Sequence, residues 1–188
     1  MPGIGHVMMG LAAGRLQARR RQELVGSMIL FAMIGLAPDL DAIAFAMRIP
    51  YDAPFGHRGA IHSLCMALIM AVGLAALAKV LKLGFWRFLA VAFATIALHD
   101  LADAATDGGL GIALFWPFSN QRIFLPWRPL PVAPIGLMGL VTPKGLHVAL
   151  VELLVFSPCL AYAFWPRRQP SQKVPVTRAE ADPGPPDT

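Results

Sequence analysis

Charge is scarce in this chain. Charged residues make up 14% of its 188 positions, against roughly 25% in a soluble domain. A soluble, highly hydrated surface is therefore excluded. The basic residues, which give a net charge of +5, fall in short groups beside apolar runs rather than in a stripe. No nucleic-acid motif accompanies them, so no nucleic-acid partner is expected. There are only two cysteines, Cys65 and Cys159, and both lie inside apolar segments. That excludes a disulfide framework or a CxxC site and leaves two small hydrophobes. Internal repeats are absent. The N-terminus lacks the order of a signal peptide, because His6 and several glycines precede the arginine cluster. What the chain has instead is a 56% hydrophobic fraction and a mean hydropathy of +0.59, the balance of a membrane protein.

Taken in order, Ile4 to Ala18 is a modestly apolar helix. It begins with His6 and closes with Arg15, Arg19, Arg20 and Arg21. Leu24 to Ala37 is more apolar, and Pro38 should end or kink it, since proline has no N–H to donate. Asp39 and Asp41 follow at once. Arg48 to Gly59 reads as a loop, with Pro50, Pro54, Gly56 and Gly59. Ala60 to Ala78 is long enough to span, carries His62 in its first turn and is closed by Lys79 and Lys82. Phe88 to Leu98 runs into His99, Asp100 and Asp103. Gly108 to Lys144 is a long segment rich in proline and aromatics, and Leu146 to Trp165 is a last spanning candidate carrying His147 and Glu152. The expected fold is an all-α integral membrane bundle of four to five transmembrane helices with that irregular loop.

Charge patterning orients this bundle. With the Arg15–Arg21 cluster in the cytoplasm, Lys79, Lys82 and Arg87, and then Arg167 and Arg168, fall on the same side. The acidic and histidine clusters fall on the other, and His6 joins them if the short first helix has its N-terminus outside. Arg122 and Arg128 are the exceptions, left outside.

Imidazoles and carboxylates gathered at one end of an apolar bundle are what a divalent metal site needs. His99 and Asp103, four apart, share a helix face. Asp39 and Asp41 sit at a proline break that can aim two carboxylates together. His57 and His62 straddle a loop-to-helix junction. Asp100 points elsewhere and suits a base or an orienting role. Arg58 and Arg122 are candidates to hold an anion. Ser63 reads as a capping hydroxyl, and the Trp116 and Trp127 region as an interfacial belt. For any one residue an ordinary cap in the headgroup region competes; for the set, convergence favours a site.

Several of these stretches carry a likeness. His6, Pro38-Asp39-Leu40-Asp41, His57-Arg58-Gly59-Ala60-Ile61-His62-Ser63, His99-x-x-x-Asp103 and Gly111-Ile112-Ala113-Leu114-Phe115-Trp116-Pro117-Phe118-Ser119 together resemble the bacterial membrane-bound metal-dependent hydrolases of the YdjM type, over roughly residues 1–130. Ile61 stands where that family usually has a threonine, and Leu98 where it usually has a serine; the histidines are kept. The resemblance implies a divalent-metal hydrolase (zinc, manganese or iron) in a bacterial inner membrane. It implies His6, Asp39, Asp41, His57, His62, His99 and Asp103 as metal-site residues. Residues 1–166 are then expected to be the membrane-embedded hydrolase domain, and 167–188 a polar, disordered tail. The expected chemistry is hydrolysis of a phosphoester or other lipid-linked substrate on the outer face, with Asp41 or Asp100 as general base and Arg58 on the anion. A metal or proton transporter, or a non-catalytic membrane protein with polar helix caps, are the competing expectations.

Overall fold

Apolar helices of unequal length set the architecture, described here from a computed structural model for residues 3–133, 139 and 141–166. Helix α1 covers Ile4–Gln17 and α2 Leu24–Leu36. Pro38 follows, and the chain tightens into a 3-10 turn over Pro38–Ala42 before the short α3, Ile43–Ala46. Helix α4 is Leu64–Val80 and α5 is Phe85–Ala104. A long irregular stretch leads to α6, Pro143–Val155, and α7, Ser157–Phe164. The described residues contain no strand, only isolated bridges pairing Thr106 with Leu130 and Ile112 with Ile123. The molecule is all-helical, as expected.

The inside of the bundle is made of small residues. Ala67, Ala71, Ala75 and Ala78 form one fully buried stripe on α4 and pack against Phe88, Ala92 and Ile96 of α5 and Phe31 of α2. Helices α1 and α2 approach through Gly10 and Gly14: a Cβ at Gly10 would strike Ala32, and one at Gly14 would strike Met28. Small residues four apart are the usual means of bringing membrane helices into backbone contact. Large apolar side chains lie outside: Val25, Ile29, Leu68, Val80 and Leu154 are all exposed. A small-inside, large-outside arrangement suits lipid as the solvent.

Two helical stretches, Arg21–Ala46 and Phe85–Ala104, are long and apolar enough to cross a membrane, or three spans if α6 and α7 count as one. The expected four to five would need α1 and α4 as well. With 14 and 17 residues they rise only about 21 and 26 Å, short of the roughly 30 Å hydrocarbon core. The last span differs from the expected single helix: α6 and α7 meet at a 57° bend. Pro158 has no N–H for the Leu154 carbonyl, and Ser157 Oγ donates to that carbonyl instead, at 2.8 Å.

The bundle segregates its polar ends. Arg87 donates to the Leu16 carbonyl, tying the start of α5 to the end of α1. Arg15 donates to the Ala163 carbonyl and lies over the Tyr162 ring, tying α1 to α7. At the other end the irregular segment covers the helix termini: Leu64 N–H donates to Leu114, Ala113 to Arg58, and Leu125 to Ala104. Arg167, Arg168, the rest of the tail and Pro134 lie outside the described residues.

Candidate metal centre

Four helix ends meet at the covered end of the bundle. The start of α1 brings His6, the turn after α2 brings Asp39 and Asp41, the approach to α4 brings His62, and the last turns of α5 bring His99, Asp100 and Asp103. Each of these except Asp39 is essentially buried, and the Asp39 side chain is only 22% exposed.

Five of the residues converge. His6 Nε2 lies 3.5 Å from Asp103 Oδ1 and 3.8 Å from Asp39 Oδ2. His62 Nε2 lies 3.4 Å from Asp103 Oδ2 and 3.9 Å from Asp39 Oδ1. His99 Nε2 lies 3.8 Å from Asp39 Oδ1 and 4.0 Å from Asp103 Oδ2. The His6 and His99 rings stack with centroids 3.6 Å apart. Ligand atoms of His6, Asp39, His99 and Asp103 all lie within 4.8 Å of one another, a group that could hold a metal ion.

The tautomer of His99 sharpens this. His99 Nδ1 sits 2.8 Å from the Gly35 carbonyl, which can only accept, so Nδ1 carries the proton. His62 Nδ1 lies 2.9 Å from Asp41 Oδ2, a close charge contact. His99 Nε2 therefore bears a lone pair, and it faces His62 Nε2 at 3.2 Å. A positive charge suits that gap, either a metal ion ligated by both nitrogens or a proton on His62 Nε2 donated to His99. Nitrogen ligands about 2.0–2.1 Å from a tetrahedral ion are separated by roughly 3.3 Å. The residues therefore fit a divalent metal. Without one, the facing carboxylates set His62: burial works against its charged form, but Asp103, Asp39 and Asp41 outweigh it and raise the pKa well above the ordinary value.

Asp39 and Asp41 do not aim together. In a 3-10 turn successive side chains are about 120° apart, so residues two apart diverge. Asp39 faces the cluster. Asp41 stands behind His62 and is fully engaged: Oδ1 meets His57 Nδ1 at 2.5 Å, and Oδ2 accepts the Arg58 N–H at 2.8 Å as well as facing His62. His57 is thus placed one step back, against Asp41, as an orienting carboxylate–imidazole pair would be. Asp100 is nearer than expected. One of its oxygens groups with His62 and His99, and neither oxygen has a hydrogen-bond partner among the described residues.

The arginines are also committed. Arg58, 1% exposed and with φ at +59°, places Nε 3.1 Å from Asp103 Oδ2 and donates to Thr106 Oγ1 at 3.0 Å. Arg122 donates to the backbone carbonyls of Tyr51, Ala53 and His57, fastening the 48–59 loop. Burial lowers the Arg122 pKa from its ordinary value. Ser63 caps α4, accepting the Met66 N–H at 3.2 Å and donating to Ala60. His62 is in the 3-10 turn just before that helix rather than in its first turn.

Two contributors are invisible in the sequence. The Gly35 carbonyl and Thr106 carry no signal, since one is backbone and the other a lone hydroxyl. Glu152 was visible as a buried carboxylate, but its partner is backbone: it accepts the Gly5 N–H at 3.0 Å, holding the residue before His6. His147 is exposed at the start of α6.

Comparison with known proteins places the chain among inner membrane proteins. The family model described as YdjM inner membrane protein matches residues 1–171. The inner membrane protein YbcI of Escherichia coli (strain K12) is 35% identical over 156 residues, covering 78% of this chain and 88% of that protein. No solved structure matches. A small-residue core, lipid-facing apolar helices and a family match over nearly the whole length lead to one statement: the chain belongs to the YdjM inner membrane protein family.

Proposed function

We propose that this protein is a membrane-bound, metal-dependent hydrolase, embedded as one domain over residues 1–166, that cleaves a phosphoester or other lipid-linked substrate at the outer face of the inner membrane. The observation that carries the reading is the convergence of ligand atoms of His6, Asp39, His99 and Asp103 within 4.8 Å of one another, with His62 Nε2 3.2 Å from His99 Nε2. His6, Asp39, His62, His99 and Asp103 would hold the ion. A bound zinc, manganese or iron supplies Lewis acidity and a water of lowered pKa.

The chain's own residues do the rest. Asp41, backed by His57, fixes the ring of His62. Arg58 offsets part of the negative charge of Asp103. Asp100, beside His62 and His99 and without a hydrogen-bond partner among the described residues, is the carboxylate left to take a proton. The lipid-linked substrate follows from exposed Phe115, Phe118 and Trp127 on the segment that covers this end. Transport is the weaker reading, because Glu152, the one carboxylate expected deep in the span, accepts the Gly5 N–H beside His6 at the His/Asp end.

Elemental analysis of the detergent-purified protein beside a His62→Ala, His99→Ala double variant tests the centre. Stoichiometric metal in the native chain and none in a variant with native helical circular dichroism is expected. A native chain that stays metal-free after reconstitution would overturn the proposal.

A further inference from the structure

The end of the bundle opposite the His/Asp cluster holds a second built feature. A cavity of about 560 Å³ opens between the end of α1, the start of α2 and the α4–α5 turn. Its walls include Arg19, Arg20 and Lys82, and its floor includes Phe88. Gln17 and Ser27 also border it, although Gln17 Oε1 and Ser27 Oγ are themselves shielded from solvent. Glu23, the one acid in the wall, is occupied. Its Oε2 accepts the backbone N–H groups of Arg19 and Arg20 at 3.1 Å each, and its Oε1 lies 3.9 Å from Arg20 Nε.

From this arrangement we infer a binding site for the phosphate headgroup of an anionic phospholipid. Three cations flank one cavity against a single carboxylate, and the apolar lining of Leu30, Leu83 and Phe88 accepts the glycerol and first methylenes. Basic pockets between membrane helices bind anionic headgroups for these reasons. The dimensions favour a lipid over a free anion. Helices α1 and α4, about 21 and 26 Å long, are shorter than the roughly 30 Å hydrocarbon core. Arg19, Arg20 and Lys82 at their ends therefore lie at the level of the headgroups rather than in open water. The site is independent of the metal centre and stands whether or not that centre hydrolyses anything.

Native mass spectrometry of the full chain in detergent, titrated with phosphatidylglycerol, phosphatidylcholine or inorganic phosphate, tests it. Retained phosphatidylglycerol adducts are expected, and much weaker phosphatidylcholine ones. The Arg19→Gln, Arg20→Gln, Lys82→Gln variant changes only exposed side chains and should lose affinity roughly 100-fold, about fivefold per cation. A charge-matched variant elsewhere, Arg48→Gln, Arg128→Gln, Lys144→Gln, should bind as the native chain does. Equal binding of both lipids, or equal loss in both variants, overturns the site. Inorganic phosphate bound as tightly as phosphatidylglycerol overturns the lipid as its source.

Discussion

Asp39 and Asp41 are separated by one residue and by the whole logic of the centre. Asp39 turns both oxygens toward imidazole Nε2 atoms, whereas Asp41 spends its oxygens on His57, the Arg58 N–H and the far side of His62. Their substitutions should therefore differ in kind. Asp39→Ala should abolish metal retention. Asp41→Asn, which keeps the volume and removes the charge behind His62, should weaken metal binding by about 10–100-fold without abolishing it. A chelator competition on both variants reads the difference directly. Equal, complete loss in the two would make Asp41 a ligand. The candidate residues themselves were legible in the sequence, because ionisable groups in apolar runs stand out. The partition between Asp39 and Asp41 was not legible, since it depends on whether the break at Pro38 stays extended, which puts residues two apart on one side, or winds into a turn, which separates them. The Gly35 carbonyl was invisible for a simpler reason: every residue has one.

At the scale of elements, the centre depends on how closely α1 lies against α2, since His6 rides on the first and Asp39 follows the second. Gly10 and Gly14 permit that approach. Gly14→Val would press a branched side chain into Met28 and Ser27. It should cost about 1–3 kcal/mol and lower both the Tm in detergent and the metal content. Gly73→Ala on α4 is the contrast. Nothing lies within 4 Å of a Cβ there, and alanine is the better helix former, so the Tm should hold or rise. If Gly14→Val melts as the native protein does, the glycines are not what brings α1 and α2 together. The bend between α6 and α7 was within reach of the sequence, since Pro158 sits in the middle of the expected last span. The run of apolar residues around it outweighed that single break.

Across the whole molecule, hydrophobicity and charge act on different axes. Apolar side chains face sideways into lipid, while most titratable groups are sorted along the bundle, with Arg58 and Arg122 at the acidic end and Glu23 at the basic end as exceptions. His6, Asp39, His62, His99 and Asp103 lie at one end; Arg19, Arg20, Lys82 and Arg87 lie at the other. The sorting was readable before any coordinates, because alternating helix direction puts every second boundary on the same side. Its absolute sense is a separate matter, carried by the excess of Arg and Lys at one end. That excess predicts the basic end in the cytoplasm and the metal centre facing out. Cysteine labelling decides it. In a background with Cys65 and Cys159 replaced by alanine, Phe118→Cys places a thiol at a position 92% exposed on the segment that covers the His/Asp end, and Lys82→Cys places one at the basic end. A membrane-impermeant maleimide should label position 118 in intact spheroplasts and position 82 only after lysis. Labelling in the opposite order would put the centre in the cytoplasm, where a substrate of the inner leaflet or of the cytosol would have to replace the outer-face lipid.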